Sequence, residues 1–174
     1  LNFLIELLAS VEGISDFKKL PIPFFCVATD VENGGEVLLE KGSFPLALRA
    51  SASFPTLLTP INLEGKLLVD GGVANNFPVS IMKSKGMDII IGVDVEGRLY
   101  EKEKLNSVLS IMNQIISYQM YNKSDEEKEK LDIYIHPKIY NYNVVDFDQK
   151  EQILQKGIEE GEKYSTIFKE LSLK

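Results

Sequence analysis

Asp70 stands in the setting most suited to chemistry. It ends the run Lys66-Leu67-Leu68-Val69-Asp70, which reads as a strand, and Gly71-Gly72 follow at once. Open parallel sheets receive their ligands outside the carboxyl ends of the strands, so this order presents a carboxylate where a substrate would sit. Glycines admit backbone angles closed to other residues and let a neighbouring backbone or substrate approach closely. A carboxylate held there can take a proton from a hydroxyl within hydrogen-bond reach, the role of a general base. The alternative is that Asp70 caps the turn, since Asp-Gly is a common turn pair. Spacing alone slightly favours the cap.

Other reactive residue types have plainer readings. Ser51 and Ser53, in Arg49-Ala50-Ser51-Ala52-Ser53, have no neighbouring base, and small residues suit close helix packing. Cys26 lies in the apolar run Phe24-Phe25-Cys26-Val27-Ala28 and reads as an inert core thiol. As a lone cysteine it excludes an internal disulfide and any multi-cysteine metal cluster. His136, in Ile135-His136-Pro137, is far from Asp70 in sequence and is given a structural role. Asn75 and Asn76 are placed to cap the helix that Pro78 opens. Asp94 ends an apolar strand and is placed to line a pocket near the Asp70 edge. Phe3, Phe24, Phe25 and Phe44 read as core. No metal and no cofactor is indicated.

The elements that must position Asp70 alternate between strand and helix. Phe24–Ala28 reads as a strand, Asn33-Gly34-Gly35 as a turn and Glu36–Leu39 as its paired strand. Pro45 opens a short helix rich in small residues, and Pro55 and Pro60 bracket a loop. After Asp70, a helix opened by Pro78 and closed by Gly86 leads to Ile89-Ile90-Ile91-Gly92-Val93-Asp94-Val95, too apolar to have a wet face. Strand, helix and strand in this order predict a right-handed βαβ unit. Leu105, Val108, Leu109, Met112, Ile115, Ile116 and Met120 mark a long amphipathic helix. Ser124–Lys130 reads as a solvated linker or helix end, and Ile133-Tyr134-Ile135 as a strand stopped by Pro137. A last helix is expected from about Asp148 to Leu171, with Leu154, Ile158, Gly161, Tyr164, Phe168 and Leu171 inward. The fold class is α/β, a mostly parallel sheet flanked by helices.

Composition narrows the function classes. The 174 residues suit one domain, and 19 Lys+Arg against 26 Asp+Glu give a net charge of -7. An acidic chain is a poor partner for a phosphate backbone, so nucleic acid is excluded as a partner. No run reaches the roughly 18 apolar residues of a spanning helix. The opening Leu1-Asn2-Phe3-Leu4-Ile5-Glu6-Leu7-Leu8 has helical spacing, no initiating Met and no N-cap, which reads as a helix entered partway along and the chain as a fragment.

The succession Arg49-Ala50-Ser51-Ala52-Ser53-Phe54-Pro55, Asp70-Gly71-Gly72, Asn76-Phe77-Pro78, Gly86, Asp88 and Val93-Asp94-Val95 resembles the C-terminal half of the patatin-like phospholipases. The resemblance is strongest over 21–95, and 105–174 reads as a helical extension with one short strand. It implies that 1–174 is the C-terminal part of one patatin-like hydrolase domain, present as a partial domain. It also implies a serine lipid acyl hydrolase working through a Ser-Asp dyad, with Asp70 as general base and Gly71 and Gly72 shaping the site. The serine would attack the ester carbonyl and form an acyl-enzyme that water hydrolyses. Lipid or phospholipid is then the substrate, a membrane surface a candidate partner, and Arg49 equally a phosphate ligand or the partner of a rim carboxylate. From Asn106 the resemblance is weaker, to bacterial members in which an outer-membrane barrel follows the hydrolase. That implies an outer-membrane or periplasmic location, with the cytoplasm as alternative.

The departures are equally informative. The family's nucleophile sits in G-x-S-x-G on a strand-to-helix turn, and no serine of this sequence has that context. Gly34-Gly35 falls after the place of the family's oxyanion loop. Both parts are expected upstream of Leu1, so the chain alone is expected to be inactive and to self-associate through its truncated edge. The alternative function is a non-catalytic patatin-like scaffold or binding module. A nucleotide-binding domain ranks low, for want of a G-x-G-x-x-G or G-x-x-x-x-G-K-[ST] run.

Overall fold

The computed structural model describes residues 15–142 and 147–172. The helix expected at Leu1–Leu8, with Phe3, lies outside them. The first half is a four-stranded sheet in the order β2-β1-β4-β3, built from β1 (Cys26–Asp30), β2 (Glu36–Leu39), β3 (Ile61–Leu63) and β4 (Lys66–Asp70). Every pairing in it is antiparallel, with Ala28 opposite Val37 on one side and Asp70 on the other. The connections explain why. β1 and β2 are joined by a five-residue turn in which the Asp30 carboxylate accepts the Glu32 N–H at 3.0 Å and Gly34 takes φ +70°. β3 and β4 are joined by Glu64-Gly65 alone, both at positive φ. Links this short close hairpins, whereas parallel neighbours need a crossover of a dozen residues or more. The fold is α/β, but its larger sheet corrects the expectation of a mostly parallel one.

Helix α1 (Phe44–Ser51), with Pro45 in its first turn, packs on β1 and β4. Ala47 and Ala50 bring the helix backbone close to the sheet, and the core beneath is Phe17, Ala28, Leu39, Phe44 and Leu68. Phe24 rests against Phe17 and Phe44 at the rim, where it is half exposed, and Lys85 lies over the Phe25 ring. Of the described members of the aromatic group expected in the core, Phe44 is buried and Phe24 and Phe25 are not.

The second half begins with α2 (Gly72–Asn75) and α3 (Val79–Ser84), and continues with β5 (Ile91–Val93), α4 (Val108–Lys128) and β6 (Ile133–Ile135). β5 and β6 pair in parallel, Ile91 opposite Ile133, so the parallel unit is β5-α4-β6. The expected unit from β4 through the Pro78 helix does not form: β4 already has β1 on one edge and β3 on the other, and offers β5 no free edge. β5 is also not buried on both faces. Ile90, Gly92 and Asp94 point inward, while Ile89, Ile91, Val93 and Val95 are exposed.

α4 starts at a capping box, Ser110 N donating to Ser107 Oγ and Ser107 N to Ser110 Oγ, both at 3.1 Å. Its apolar face is less buried than its spacing implies: Val108, Leu109, Ile111, Met112 and Ile115 are exposed. Of the two readings of Ser124–Lys130, linker or helix end, the second holds: α4 runs on to Lys128, and Ser124 within it is buried rather than solvated. The last helix is two, α5 (Lys150–Glu162) and α6 (Ser165–Leu171), and Leu154 and Ile158 are exposed rather than inward.

Candidate active site

Asp70 is held at the end of β4 by its backbone. Its N–H donates to the Ser53 carbonyl at 3.0 Å, and its carbonyl accepts the Thr29 hydroxyl at 2.8 Å. The same Thr29 oxygen accepts the Ala74 N–H at 3.0 Å, so one β1 side chain ties the strand end to α2. Gly71 and Gly72 are needed for space rather than for unusual angles, since Gly71 has φ -64°. A Cβ on Gly71 would lie 2.1 Å from the Val27 carbonyl oxygen. One on Gly72 would lie 2.3 Å from Met120 Cε and 2.7 Å from Asn76 Oδ1. The glycine pair thus lets the turn pass between β1 and α4.

Three strand-end aspartates share one local motif. Asp30, Asp70 and Asp94 each accept, through Oδ1, the N–H of the residue two positions on, at 3.0, 2.8 and 2.8 Å. The second oxygen separates them. Asp30 Oδ2 accepts the Asn33 amide at 3.0 Å and faces Lys66 at 3.7 Å. Asp94 Oδ2 accepts the Tyr134 hydroxyl at 2.6 Å and the Lys128 ammonium at 2.8 Å. Asp70 Oδ2 has no hydrogen-bond partner among the described residues, and no described side-chain oxygen is both sealed and unpaired. Both readings of Asp70 are therefore compatible: Oδ1 caps the turn and Oδ2 is available.

Electrostatics follow the same division. Burial pushes the Asp70 carboxyl above the ordinary carboxylate range, opposed by the Gly72 N–H. At Asp30 the Asn33 amide heads the causes that hold the carboxyl below that range. At Asp94 burial works upward but is outweighed by Lys128, Tyr134 and the Glu96 N–H, and the carboxyl is held low. Burial pushes the Cys26 thiol up to about 11, as expected of an inert cysteine.

Asp94 is buried and lies in a network rather than lining an open pocket. Glu96 Oε2 accepts Lys128 at 2.9 Å, and Glu96 Oε1 accepts Asn76 Nδ2 and Ser124 Oγ, both at 2.6 Å. His136 Nδ1 lies 3.0 Å from the Asp94 carbonyl and its ring stacks on Tyr134, a structural role. The asparagines do not cap α3: Asn75 Nδ2 donates to Glu36 at 2.7 Å, and the α3 N-terminus is capped from α4, Ser80 N donating to Glu127 Oε2 at 2.6 Å. Arg49 reaches the Ser53 hydroxyl and the Thr59 carbonyl (3.1 Å), and no carboxylate among the described residues pairs with it. Ser53 is fully buried and donates to the Arg49 carbonyl at 2.6 Å, so it is structural. Sequence reading missed Thr29, Glu96 and Lys128. Glu96 stands two residues beyond Asp94, as Gly72 stands beyond Asp70, a parallel open to inspection.

An aspartate at a strand end, a Gly-Gly pair forced by close packing, and a helix opened by the residues after them are now in place. Residues 7–83 match the patatin-like phospholipase family. Lysophospholipase NTE1 of Meyerozyma guilliermondii is 28% identical over 183 residues, covering 90% of this chain and 13% of the relative. An uncharacterized NTE-family protein of Mycobacterium bovis is 31% identical over 94 residues, 54% of this chain and 26% of the relative. Lysophospholipase NTE1 of Debaryomyces hansenii is 38% identical over 94 residues, 54% of this chain and 6% of the relative. The chain thus spans a small fraction of the length of these relatives, and the patatin-like match includes the β4–Gly71-Gly72 segment.

Proposed function

We propose that this chain carries the aspartate half of a Ser-Asp dyad in a patatin-like lipid acyl hydrolase that cleaves carboxylic ester bonds of phospholipids or lysophospholipids. The observation that carries the reading is the allocation of the Asp70 oxygens: one fixed by Gly72, the other without a partner among the described residues, on a carboxyl that burial makes more basic. Asp70 takes the serine proton as the hydroxyl attacks the ester carbonyl, and returns it to the leaving alcohol as the acyl-enzyme forms. A water activated by Asp70 then releases the fatty acid. The nucleophile comes from a G-x-S-x-G segment that the 174 residues do not contain, so the chain alone is inactive. The bacterial origin and the outer-membrane or periplasmic location belong to the same reading.

The test compares hydrolysis of a lysophospholipid by this chain alone and by a form that includes a G-x-S-x-G segment. Turnover is expected only in the longer form and is lost in Asp70→Asn. Undiminished activity of the longer Asp70→Asn form refutes the dyad. The non-catalytic scaffold is favoured by one observation, that no described serine hydroxyl bonds to the Asp70 carboxylate. A longer form that fails to label with a serine-reactive phosphonate would favour it.

Membrane contact and self-association rest on the apolar surface of β5 and the first half of α4. A monodisperse monomer by light scattering, with no binding to phospholipid vesicles, refutes both.

A further inference from the structure

We propose that Glu96 is a positioning residue for Asp70, acting through Asn76 and Gly72; this rests on the general-base reading of Asp70. Glu96 is fixed from three sides. Its Oε2 accepts Lys128 at 2.9 Å, its Oε1 accepts Ser124 at 2.6 Å, and Lys128 is itself tied to Asp94 at 2.8 Å, at the end of β5. The remaining contact reaches toward the site: Asn76 Nδ2 donates to Glu96 Oε1 at 2.6 Å.

That bond orients the Asn76 amide. With Nδ2 committed to Glu96, Oδ1 is turned toward Gly72, where a Cβ would lie 2.7 Å from Asn76 Oδ1 and 3.1 Å from Asp70 Oδ1. The amide oxygen and the aspartate carboxylate therefore flank the same glycine, whose N–H holds Asp70 Oδ1 at 2.8 Å. Met120, on the same helix as Ser124 and Lys128, closes the other side of that glycine. Displacing Asn76 frees Gly72 to move and loosens the bond that sets the Asp70 carboxylate.

A carboxylate is the group this position calls for. It accepts from the Asn76 amide, the Ser124 hydroxyl and the Lys128 ammonium together. A glutamine offers one acceptor oxygen, and its amide nitrogen would face either Lys128 or Asn76 and Ser124. Besides Glu96, the charged side chains among the described residues that bond to the turn and α2 are Glu36 on β2, which accepts the Asn75 amide, and Lys123 on α4. Lys123 donates to the Val73 and Ala74 carbonyls rather than to a carboxylate.

The experiment compares Asn76→Ala, Glu96→Ala and Asp70→Asn in a form of the protein that turns over a lysophospholipid, with thermal melting to show which variants are folded. Folded Asn76→Ala and Glu96→Ala are expected to lose about tenfold in kcat with KM unchanged, the loss of one hydrogen bond to a charged group. The acid limb of their pH–rate profile is expected to move upward, because the Gly72 N–H opposes the effect of burial on Asp70. If Glu96→Ala does not fold, Asn76→Ala carries the same test. A purely structural role lowers the melting temperature and leaves kcat and the pH profile in place, which overturns the proposal. Asp70→Asn with undiminished turnover overturns the general-base reading instead. A second measurement needs no turnover: a carbon-13 titration of the Asp70 carboxyl in the 174-residue chain. Its midpoint is expected to rise in Asn76→Ala, and an unchanged midpoint overturns the proposal.

Discussion

Replacing Gly71 by alanine puts one methyl group where the structure has no room for it. The new Cβ would lie 2.1 Å from the Val27 carbonyl oxygen, 2.5 Å from the Val27 carbonyl carbon and 3.1 Å from Val27 Cβ. Contact distances between such atoms are about 3.5 Å or a little less, so something must move by roughly 1 Å. β1 cannot easily yield, because it is paired on both edges, by β2 and by β4. If the turn yields instead, the bonds from Asp70 N to Ser53 and from Thr29 to the Asp70 carbonyl are stretched. Overpacking of this kind costs about 1–3 kcal/mol, and each weakened hydrogen bond about 1 kcal/mol more. Together these come to about 3–5 kcal/mol, a large share of the roughly 5–15 kcal/mol that holds a domain folded. With a urea slope of about 2 kcal/mol per M, the midpoint falls by about 1.5–2.5 M. Because Gly71 has φ -64°, alanine brings no angular strain and the effect reports the collision alone. Two companions set the scale. Gly72→Ala first meets Met120 Cε, the end of a flexible side chain, and costs about 1 kcal/mol. Gly157→Ala, inside α5 with nothing within 4 Å, gains about 0.5–1 kcal/mol. A Gly71→Ala midpoint equal to that of the parent chain, or above that of Gly72→Ala, refutes the packing argument.

Asp70→Asn is expected to raise stability at pH 7. A carboxyl whose folded pKa lies above its unfolded value destabilises the folded state once ionised, so the urea midpoint of the variant exceeds the parent's at neutral pH and the difference vanishes below about pH 4. A lower midpoint at pH 7 contradicts the raised Asp70 pKa. Lys128→Met leaves the buried Asp94 and its neighbour Glu96 without their cation and is expected to cost about 3–5 kcal/mol at pH 7. Asp94 is held below its unfolded pKa, so its contribution is present above that value and is lost as pH falls through the folded pKa. The penalty of Lys128→Met should therefore shrink on acidification, and a penalty independent of pH between 7 and 3 refutes the electrostatic account.

The strand that carries Asp70 was legible because its bounds are written locally: an apolar run before, two glycines after, with the end of the run at Asp70 as expected. Helix α1 was legible for the same reason, from Pro45 and the small residues that follow it. The antiparallel pairing was less so. β3 is three residues long, and its hairpin turns on Glu64-Gly65 rather than on an Asn-Gly or Asp-Gly signal. Overlooking β3 left β4 with an apparent free edge, and hence the expected βαβ unit. The apolar residues of β5 read as buried on both faces because composition cannot say what lies opposite. In the fold, one face meets Phe77 and Leu131 at Gly92 and the other is exposed. Glu96 and Lys128 escaped notice because their meaning lies in a contact across 32 residues that no local pattern encodes.

Asp30, Asp70 and Asp94 show why a motif match needs the surrounding geometry to become a chemical argument. Asp30 and Asp70 end their strands and Asp94 directly follows β5, and all three bond the N–H two residues on, so spacing alone would rank them equally. What a base needs is an oxygen not already engaged and a proton affinity raised toward that of its working range. Asp30 and Asp94 fail on both counts, since cations and amide or phenol donors occupy their second oxygens and lower their pKa values. Among the described residues Asp70 meets both, because burial between β1 and α4 raises its affinity and no described cation lies against it. The glycines that look conformational in sequence are what make this possible. A side chain at 71 would collide with the Val27 backbone and one at 72 with Met120 and Asn76, so the close packing that buries Asp70 depends on the glycine pair.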